Sequence, residues 1–571
     1  MPTLEWIGKD KVINHHQDVP YRVLERIYSY DENGQHDEDN GSKNMIIRGD
    51  NLEALKALLP KYEGRVKCIY IDPPYNTGNE GWVYNDNVND PKIKKWLGEV
   101  VGKEGEDLSR HDKWLCMMYP RLRLLQKLLS QDGVIFISVD VNEKFNLKLL
   151  CDEIFGSNMF IADIAVINNL KGRSDDKYIA TAHESLLIYQ KGDFVTNGVA
   201  VPEEYETEYK LSDINGRYRL QGLRKRGAGA KREDRPNMYY PFYYDEDSNL
   251  LSLEPTNENC VEILPHLSDG SDGRWRWGKD TAQQRINELI AQKVKGRDEY
   301  DVFQKDYLPD DGSKRIKPKS FWMGTEFSAE SGTLEIKAIL GKGIFDTPKP
   351  TGIIEYCMEQ AMRSDSIILD SFAGSGTTAH AVLNMNKADG GNRKFILIEM
   401  MDYADSITAE RVKRVINGYG EGKNAVEGTS GNFSFYDLGD TLLLSDGNLN
   451  EEVGESKIRE YIWYTETKEA MTDVVAEGEP YCLGTSRDTA YYFYYKKDEI
   501  TTLDYDFLST VKTKAAGYII YADLCTIQTR NSKSGISHSR KYREILRRYK
   551  EITYGTEKIS EKCNTRPVAL S

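Results

Sequence analysis

A layered α/β domain with a mostly parallel twisted sheet is the fold class this sequence predicts, and three observations predict it. Nearly continuous apolar runs recur at 66–71, 134–139, 367–369 and 395–398, as expected for strands buried on both faces. Segments with apolar residues at helical spacing alternate with these runs. The resulting order of strand, helix, strand, helix is that of crossover units in one parallel sheet.

Along the chain, residues 1–43 read as an irregular arm ending in a polar, acidic loop. Residues 45–48 are a short strand, Gly49-Asp50-Asn51 a turn and helix cap, and 52–59 a helix. After the strand at 66–71, residues 76–112 are rich in Asn, Gly and Asp and read as a long loop or lid. An amphipathic helix over 113–129 is broken by Asp132-Gly133. Strand 134–139, ending at Asp140, helix 145–155 and strand 183–189 follow. Composition then shifts: 192–340 holds basic, aromatic and Pro/Gly-rich stretches with weak helical periodicity, the mark of an inserted domain. The α/β pattern resumes with helix 353–362, strand 367–369, helix 377–386, strand 395–398 and helix 409–416. A linker at 418–431 leads to short strands and helices. The expected division is an arm (1–43), two halves of one α/β domain (44–191 and 341–420), the insert (192–340) and a C-terminal α+β domain (421–571).

The 571 residues, 39% hydrophobic with 36 Tyr, describe a folded multidomain protein rather than a disordered one. No apolar run reaches the roughly 18 residues of a membrane span, and the first ten residues lack a signal-peptide pattern. Eight scattered cysteines form no C-x-x-C pair, which argues against zinc and against a disulfide scaffold and points to the cytoplasm. The net charge of −15 disfavours nucleic acid as a partner only weakly, because local patches set such contacts. Residues 217–235 carry eight basic side chains against Glu233 and Asp234, and 533–550 carry seven against Glu544.

The loop Asp370-Ser371-Phe372-Ala373-Gly374-Ser375-Gly376 lies between a strand and a helix beginning at Thr377. Its glycines let backbone approach a ligand, and the helix start offers free amides. Glu399 closes the next strand at about the 20-residue spacing of an acid that grips ribose hydroxyls. The loop lacks Gly-Lys-Ser/Thr, so it is no phosphate-cradling NTPase loop, and it lacks G-x-G-x-x-G, which weakens NAD. An adenosine cofactor without phosphates fits, pointing to S-adenosylmethionine. The alternative is a tight turn with two glycines. Lys349, in Thr347-Pro348-Lys349-Pro350, can reach a cofactor carboxylate or stand in a rigid connector. Asp50 and Asn51 are a second cofactor edge or a helix cap.

Asp72-Pro73-Pro74-Tyr75 follows the strand at 66–71. Exocyclic amines on aromatic rings are poor nucleophiles because the lone pair is delocalised. Two acceptors on the amino hydrogens, the Asp72 carboxylate and the Pro73 carbonyl, can draw the nitrogen toward tetrahedral geometry. The prolines stiffen these acceptors, and Tyr75 offers a stacking face for a base rotated out of the duplex. The competing reading is a strand-ending turn. The loop at 370–376 favours catalysis.

Asp-Pro-Pro-Tyr with Phe-x-Gly-x-Gly resembles the S-adenosylmethionine-dependent amino methyltransferases. The order, with the catalytic motif first and the cofactor motif later, resembles the β-class DNA methyltransferases over about residues 44–420, including His183-Glu184-Ser185 and Thr347-Pro-Lys-Pro. The resemblance implies a Rossmann-like methyltransferase acting on adenine N6 rather than cytosine N4, with Asp72, Pro73, Pro74 and Tyr75 catalytic. It implies cofactor contacts at Phe372, Gly374, Gly376 and Glu399. With the residues above, the candidate cofactor set is Asp50, Asn51, Lys349, Asp370, Phe372, Gly374, Gly376, Thr377 and Glu399.

More narrowly, the chain resembles the modification subunit of type III restriction–modification systems. That family implies double-stranded DNA, a homodimer and a restriction (helicase/nuclease) subunit as partners, and 192–340 as the target-recognition insert. Candidate DNA contacts there are Arg224, Lys225, Arg226, Arg235, Tyr239, Arg274, Trp275, Arg276 and Trp277, the bases for phosphates and base edges and the aromatics as wedges. A solvated surface over an aromatic core is the alternative for any one of them. The basic stretch 540–550 reads as a helix, either surface or a DNA or dimer contact. Rival functions are an RNA or protein amino methyltransferase, whose usual motif order is the reverse, and a non-catalytic DNA-recognition subunit.

Overall fold

Strands that are apolar on both sides must be covered on both sides, and this dictates the layering. The computed structural model describes residues 3–77, 107–172, 177–294, 299–310, 312–446, 448–469, 471, 478–497, 499–526 and 568–569. Most of the loop expected at 76–112 and the helix expected at 540–550 lie outside the described residues.

The chain divides into two units, 198–318 and the remainder. The larger holds an eleven-stranded sheet. Its strands are β1 (Arg22–Asp31), β2 (Gly34–His36), β3 (Met45–Arg48), β4 (Val66–Ile71), β5 (Leu129–Val139), β6 (Phe160–Ile167), β7 (His183–Gln190), β8 (Phe321–Trp322), β9 (Ile367–Asp370), β10 (Lys394–Glu399) and β11 (Phe433–Thr441). The spatial order is β8-β6-β7-β5-β4-β9-β10-β3-β11-β1-β2. From β5 to β11 in that order the strands are all parallel. β7 and β1 then run antiparallel to β5 and β11. The mostly parallel α/β sheet expected from the sequence is therefore present.

Side chains alternate between two cores. Ile69, Ile71, Ile135, Ile137, Ile396 and Ile398 face one. Cys68, Tyr70, Val134, Phe136, Phe395 and Leu397 face the other. Helices α1 (Asn51–Tyr62), α2 (Asp107–Leu128) and α3 (Lys144–Phe155) cover the first. Helices α4 (Ala329–Leu340), α5 (Thr351–Ala361), α6 (Thr377–Asp389) and α7 (Glu410–Asn417) cover the second. The helix after β4 and the helix after β9 thus leave on opposite faces. Because β4 and β9 are neighbours, the loops at their carboxyl ends splay apart into a crevice, where open α/β sheets bind ligands.

Several expectations need correction. The arm at 1–43 is not irregular: β1 is ten residues long and pairs with β11, whose own residues had been assigned to the C-terminal domain. Its β-branched and aromatic residues, Val23, Ile27, Tyr28 and Tyr30, are those of a strand. The break at Asp132-Gly133 is absorbed: β5 starts at Leu129, straight after α2, with an irregular register between Val66 and Cys68 of β4. The insert is narrower than 192–340. Phe321 and Trp322 pair with β6, and α4, capped by the Ser328 hydroxyl accepting the Ser331 N–H at 3.2 Å, packs on α7.

Unit 198–318 is β-rich. One antiparallel sheet joins Leu289–Lys293, Tyr300–Leu308, Gly216–Gly222 and Leu211–Asp213, and another joins Leu250–Ser252, Phe242–Asp245 and Val261–Ile263. Phe242, Trp275, Leu223 and Val302 are among its core residues. Beyond β11 the chain forms helix α8 (Glu455–Thr467) and a small sheet of Cys482–Ser486, Thr489–Phe493, Gly517–Tyr521 and Val568–Ala569. No described helix is long and apolar enough to cross a membrane. Among the described residues no group of His, Cys, Asp and Glu is arranged to hold a metal ion.

Candidate active site

Residues 72–77 after β4 and residues 370–376 after β9 lie at the crevice. On the β4 side, the Trp114 indole of α2 donates to the Pro74 carbonyl at 2.8 Å, locking the proline pair. Two residues on, Asn76 has φ of 57°, a left-handed conformation that costs a non-glycine residue about 1 kcal/mol or more. Its amide donates to the Arg110 carbonyl at 3.2 Å and to the buried Glu143 carboxylate. Glu143 also binds His111 Nδ1 at 2.7 Å. The turn is therefore held in place through the Asn76 side chain.

Asp72 keeps 26% of its side chain exposed, but its Oδ1 is buried with no hydrogen-bond partner among the described residues. Burial pushes its carboxyl up to about 6, with the Lys349 ammonium, 3.5 Å from Oδ1, pulling the other way. Lys349 also donates to the Tyr75 hydroxyl at 2.6 Å and to both oxygens of Glu184 at 2.7 and 2.6 Å. Tyr75 in turn donates to Glu184 Oε2 at 3.0 Å. Burial lowers the affinity of Lys349 for its proton, but Asp72 and Glu184 outweigh it and leave the ammonium above its ordinary range.

The β9 loop is pinned from within. The Asp370 carboxylate accepts the Phe372 N–H at 3.0 Å and the Thr378 hydroxyl at 2.6 Å. Burial raises its carboxyl to about 7. Gly374 and Gly376 have φ of 52° and 82°, left-handed conformations that favour glycine. A Cβ on Gly374 would lie 3.3 Å from the Phe345 ring, and one on Gly376 would lie 3.0 Å from the Thr408 carbonyl. The Glu399 carboxylate, 1% exposed, accepts the Gly374 N–H at 2.7 Å and the Met401 N–H at 3.0 Å, and burial raises it to about 7. Arg411, fully buried on α7, donates to the Ser375 and Thr377 hydroxyls at 2.9 and 2.8 Å. Asp50 caps α1, accepting the Leu52 and Glu53 N–H groups at 2.9 and 3.1 Å. Asn51 donates to the Ser371 carbonyl at 3.1 Å and accepts from Arg121, so it ties α1 to the glycine loop.

These residues fit an adenosine cofactor. The Ser371 hydroxyl is buried without a partner among the described residues, and the Glu399 carboxylate, an acceptor suited to ribose hydroxyls, is held at this loop by the Gly374 and Met401 N–H groups. Asp50, Asn51, Asp370, Phe372, Gly374, Gly376, Thr377 and Glu399 all lie on or against this loop or its two flanking strand ends. Lys349 does not follow them. Its backbone carbonyl accepts from Thr377 at 3.2 Å, but its ammonium turns to the Asp72 side.

In the insert, Arg226 and Arg235 are exposed. Arg224, Lys225, Tyr239, Arg274, Arg276 and Trp277 are half-buried and, Lys225 aside, have side-chain partners within the unit. Trp275 is a correction: it is 0% exposed, donates to the Tyr240 carbonyl at 2.7 Å and meets Phe242 edge-on, so it is core and not a wedge.

Sequence reasoning missed the supporting residues Trp114, Glu143, Arg411 and the role of Glu184. Glu184 heads a strand antiparallel to β5, with Ser185 opposite Val139, which brings it to the carboxyl edge of the parallel strands. A rule that looks for acids after strands cannot find it.

The family model described as DNA methylase (N6_N4_Mtase) matches residues 66–410, a span that holds both loops. The chain is 36% identical over 420 residues to the type III restriction-modification enzyme EcoPI Mod subunit of Escherichia phage P1, covering 70% of this chain and 63% of that protein. It is 38% identical over 362 residues to the type II methyltransferase M.KpnI of Klebsiella pneumoniae, covering 63% of this chain and 81% of that one. With the EcoP15I Mod subunit of Escherichia coli the identity is 28% over 453 residues, covering 73% of this chain and 66% of that protein. The chain thus spans about two thirds of the length of these Mod relatives. Among solved structures, PvuII DNA methyltransferase (cytosine-N4-specific) aligns at 13% identity with a TM-score of 0.32, over 65% of this chain and 86% of that one. Both loops, the strands that carry them and the residues between lie inside the matched span, and the chain belongs to the DNA methylase (N6_N4_Mtase) family.

Proposed function

We propose that this protein transfers a methyl group from S-adenosylmethionine to N6 of an adenine rotated out of duplex DNA, as the modification activity of a restriction–modification system. The observation that carries the reading is the pairing of β4 with β9, which sets Asp72-Pro-Pro-Tyr75 beside the loop 370–376 in one crevice. The Mod relatives support the system, and Asp at position 72 supports adenine.

S-adenosylmethionine, when bound, supplies an electrophilic methyl group. Asp72 Oδ1 and the Pro73 carbonyl accept the two amino hydrogens, so the nitrogen lone pair is withdrawn from the ring and turned toward the methyl. Pro74, fixed by Trp114, keeps these acceptors from drifting. Tyr75 holds the base by its face. An amine that has gained a methyl group, with the sulfur–methyl bond broken, is acidic, and one of its protons would pass to Asp72 Oδ1, which releases it to solvent. A carboxyl near 6 is ionised at neutral pH yet basic enough to take that proton briefly.

Exposed cations such as Arg226 and Arg235 supply phosphate contacts in the insert. A homodimer and a restriction subunit are the assembly this reading carries with it. Asp72→Ala tests the core of it. Methyl transfer to DNA is expected to fall by about a thousandfold while calorimetric S-adenosylmethionine affinity stays within about threefold, a small change on a tenfold-per-1.4 kcal/mol scale. Retained transfer would show that the chemistry lies elsewhere.

A further inference from the structure

The Asp72 half of the crevice contains one more acid than the reaction uses. Glu184 is 6% exposed, and its carboxylate takes the Lys349 ammonium on both oxygens at 2.7 and 2.6 Å. Oε2 also accepts the Tyr75 hydroxyl at 3.0 Å and the Asn168 amide at 3.4 Å. Lys349 therefore stands between two carboxylates, closely hydrogen-bonded to Glu184 and in a looser ion pair with Asp72. Its distance to Asp72 Oδ1 is 3.5 Å, and that oxygen has no hydrogen-bond partner among the described residues.

A buried ammonium beside a buried carboxylate ordinarily closes to a hydrogen-bonded pair, since that contact is far stronger than a loose one. Here a second carboxylate competes and wins. We propose that Glu184 is a positioning residue that holds the Lys349 ammonium off Asp72, keeping Asp72 Oδ1 open for the substrate amine, while its bond to Tyr75 fixes the stacking ring. This rests on the methyl-transfer reading above.

The groups around Asp72 agree. Besides Lys349 and Glu184 it faces Tyr75, Tyr70 of β4, whose hydroxyl is engaged with Ser138 at 3.0 Å, and Asp370 at the end of β9. Lys349 is the one cation among these groups, and Glu184 adds negative charge that keeps the Asp72 carboxyl basic. If Glu184 loses its charge, Lys349 is free to close on Asp72. The oxygen is then occupied and the carboxyl less basic.

The test uses single-turnover methylation of duplex DNA across pH 5 to 9, with the full chain, for wild type, Glu184→Gln and the double variant Glu184→Gln/Lys349→Met. S-adenosylmethionine affinity is read in parallel by calorimetry. Glu184→Gln is expected to slow transfer at least about 30-fold and to move the acid limb of the profile down by about one pH unit, with cofactor affinity unchanged. The double variant, which has no ammonium to block Asp72, is expected to be faster than Glu184→Gln alone. A Glu184→Gln rate within about threefold of wild type overturns the inference. So does a slow variant whose acid limb is unmoved and whose rate the second substitution does not raise. In either case a wild type that methylates leaves the proposed function standing. A wild type that methylates no DNA overturns both.

Discussion

Asp72 titrates where an enzyme working at neutral pH can use it. Its carboxyl is raised to about 6 by burial, with Lys349 opposing, so the methylation rate should fall as pH drops through 6 and the acceptor oxygen takes up a proton. A pH–rate profile of single-turnover transfer checks this, and a limb at the ordinary carboxylate value near 4 would contradict it. Asp370 makes a second prediction at the same scale. Its value rises from 3.8 to about 7 through burial. A raised carboxyl binds its proton more tightly folded than unfolded, so its contribution to stability is present below 3.8 and is lost as pH rises toward 7. Asp370→Asn, which cannot ionise, should therefore lose more stability relative to wild type at pH 5 than at pH 8. Thermal unfolding of both proteins at the two pH values measures the difference, and an equal gap would contradict a buried carboxyl at this position.

At the scale of elements, the central strands and most helices were legible because apolar period and capping are local signals. Asp50 caps α1 where the sequence placed a cap, and α6 runs from Thr377 between two left-handed glycines, Gly376 and Gly390. What could not be read depends on distant partners. Strand β1 has four charged residues in ten and is a strand because β11, some 400 residues away in the chain, pairs with it. The boundary of the insert before Phe321, Trp322 and α4 is hidden in the sequence because the basic lead-in at 314–319 has the insert's composition. Trp275 was misread for a related reason: alternating Arg and Trp marks either a DNA surface or a strand-like edge over a core, and only its partners Phe242 and Tyr240 decide. Trp275→Ala should accordingly unfold or loosen the insert, costing about 3–5 kcal/mol, as read by proteolysis of residues 198–318. Weakened DNA binding with an intact, protease-resistant insert would restore it to the recognition surface.

Across the whole molecule, the sheet brings together residues that the chain keeps far apart. Asp72 and Tyr75 follow β4, Glu184 is the second residue of β7, Lys349 precedes α5, and the loop at 370–376 follows β9. The Asp-Pro-Pro-Tyr tetrapeptide and the glycine loop were legible as motifs. Their adjacency was legible only through family resemblance, and the carboxylate that balances Lys349 was not legible at all, because an antiparallel strand delivers it. In the proposed function, this crevice methylates adenine in duplex DNA through Asp72. The most direct measurement is single-molecule sequencing of DNA from cells expressing this chain alone, beside cells expressing Asp72→Ala. N6-methyladenine at one recurring sequence in the first and none in the second is the predicted result. N4-methylcytosine instead, or the same adenine methylation from both proteins, would contradict it.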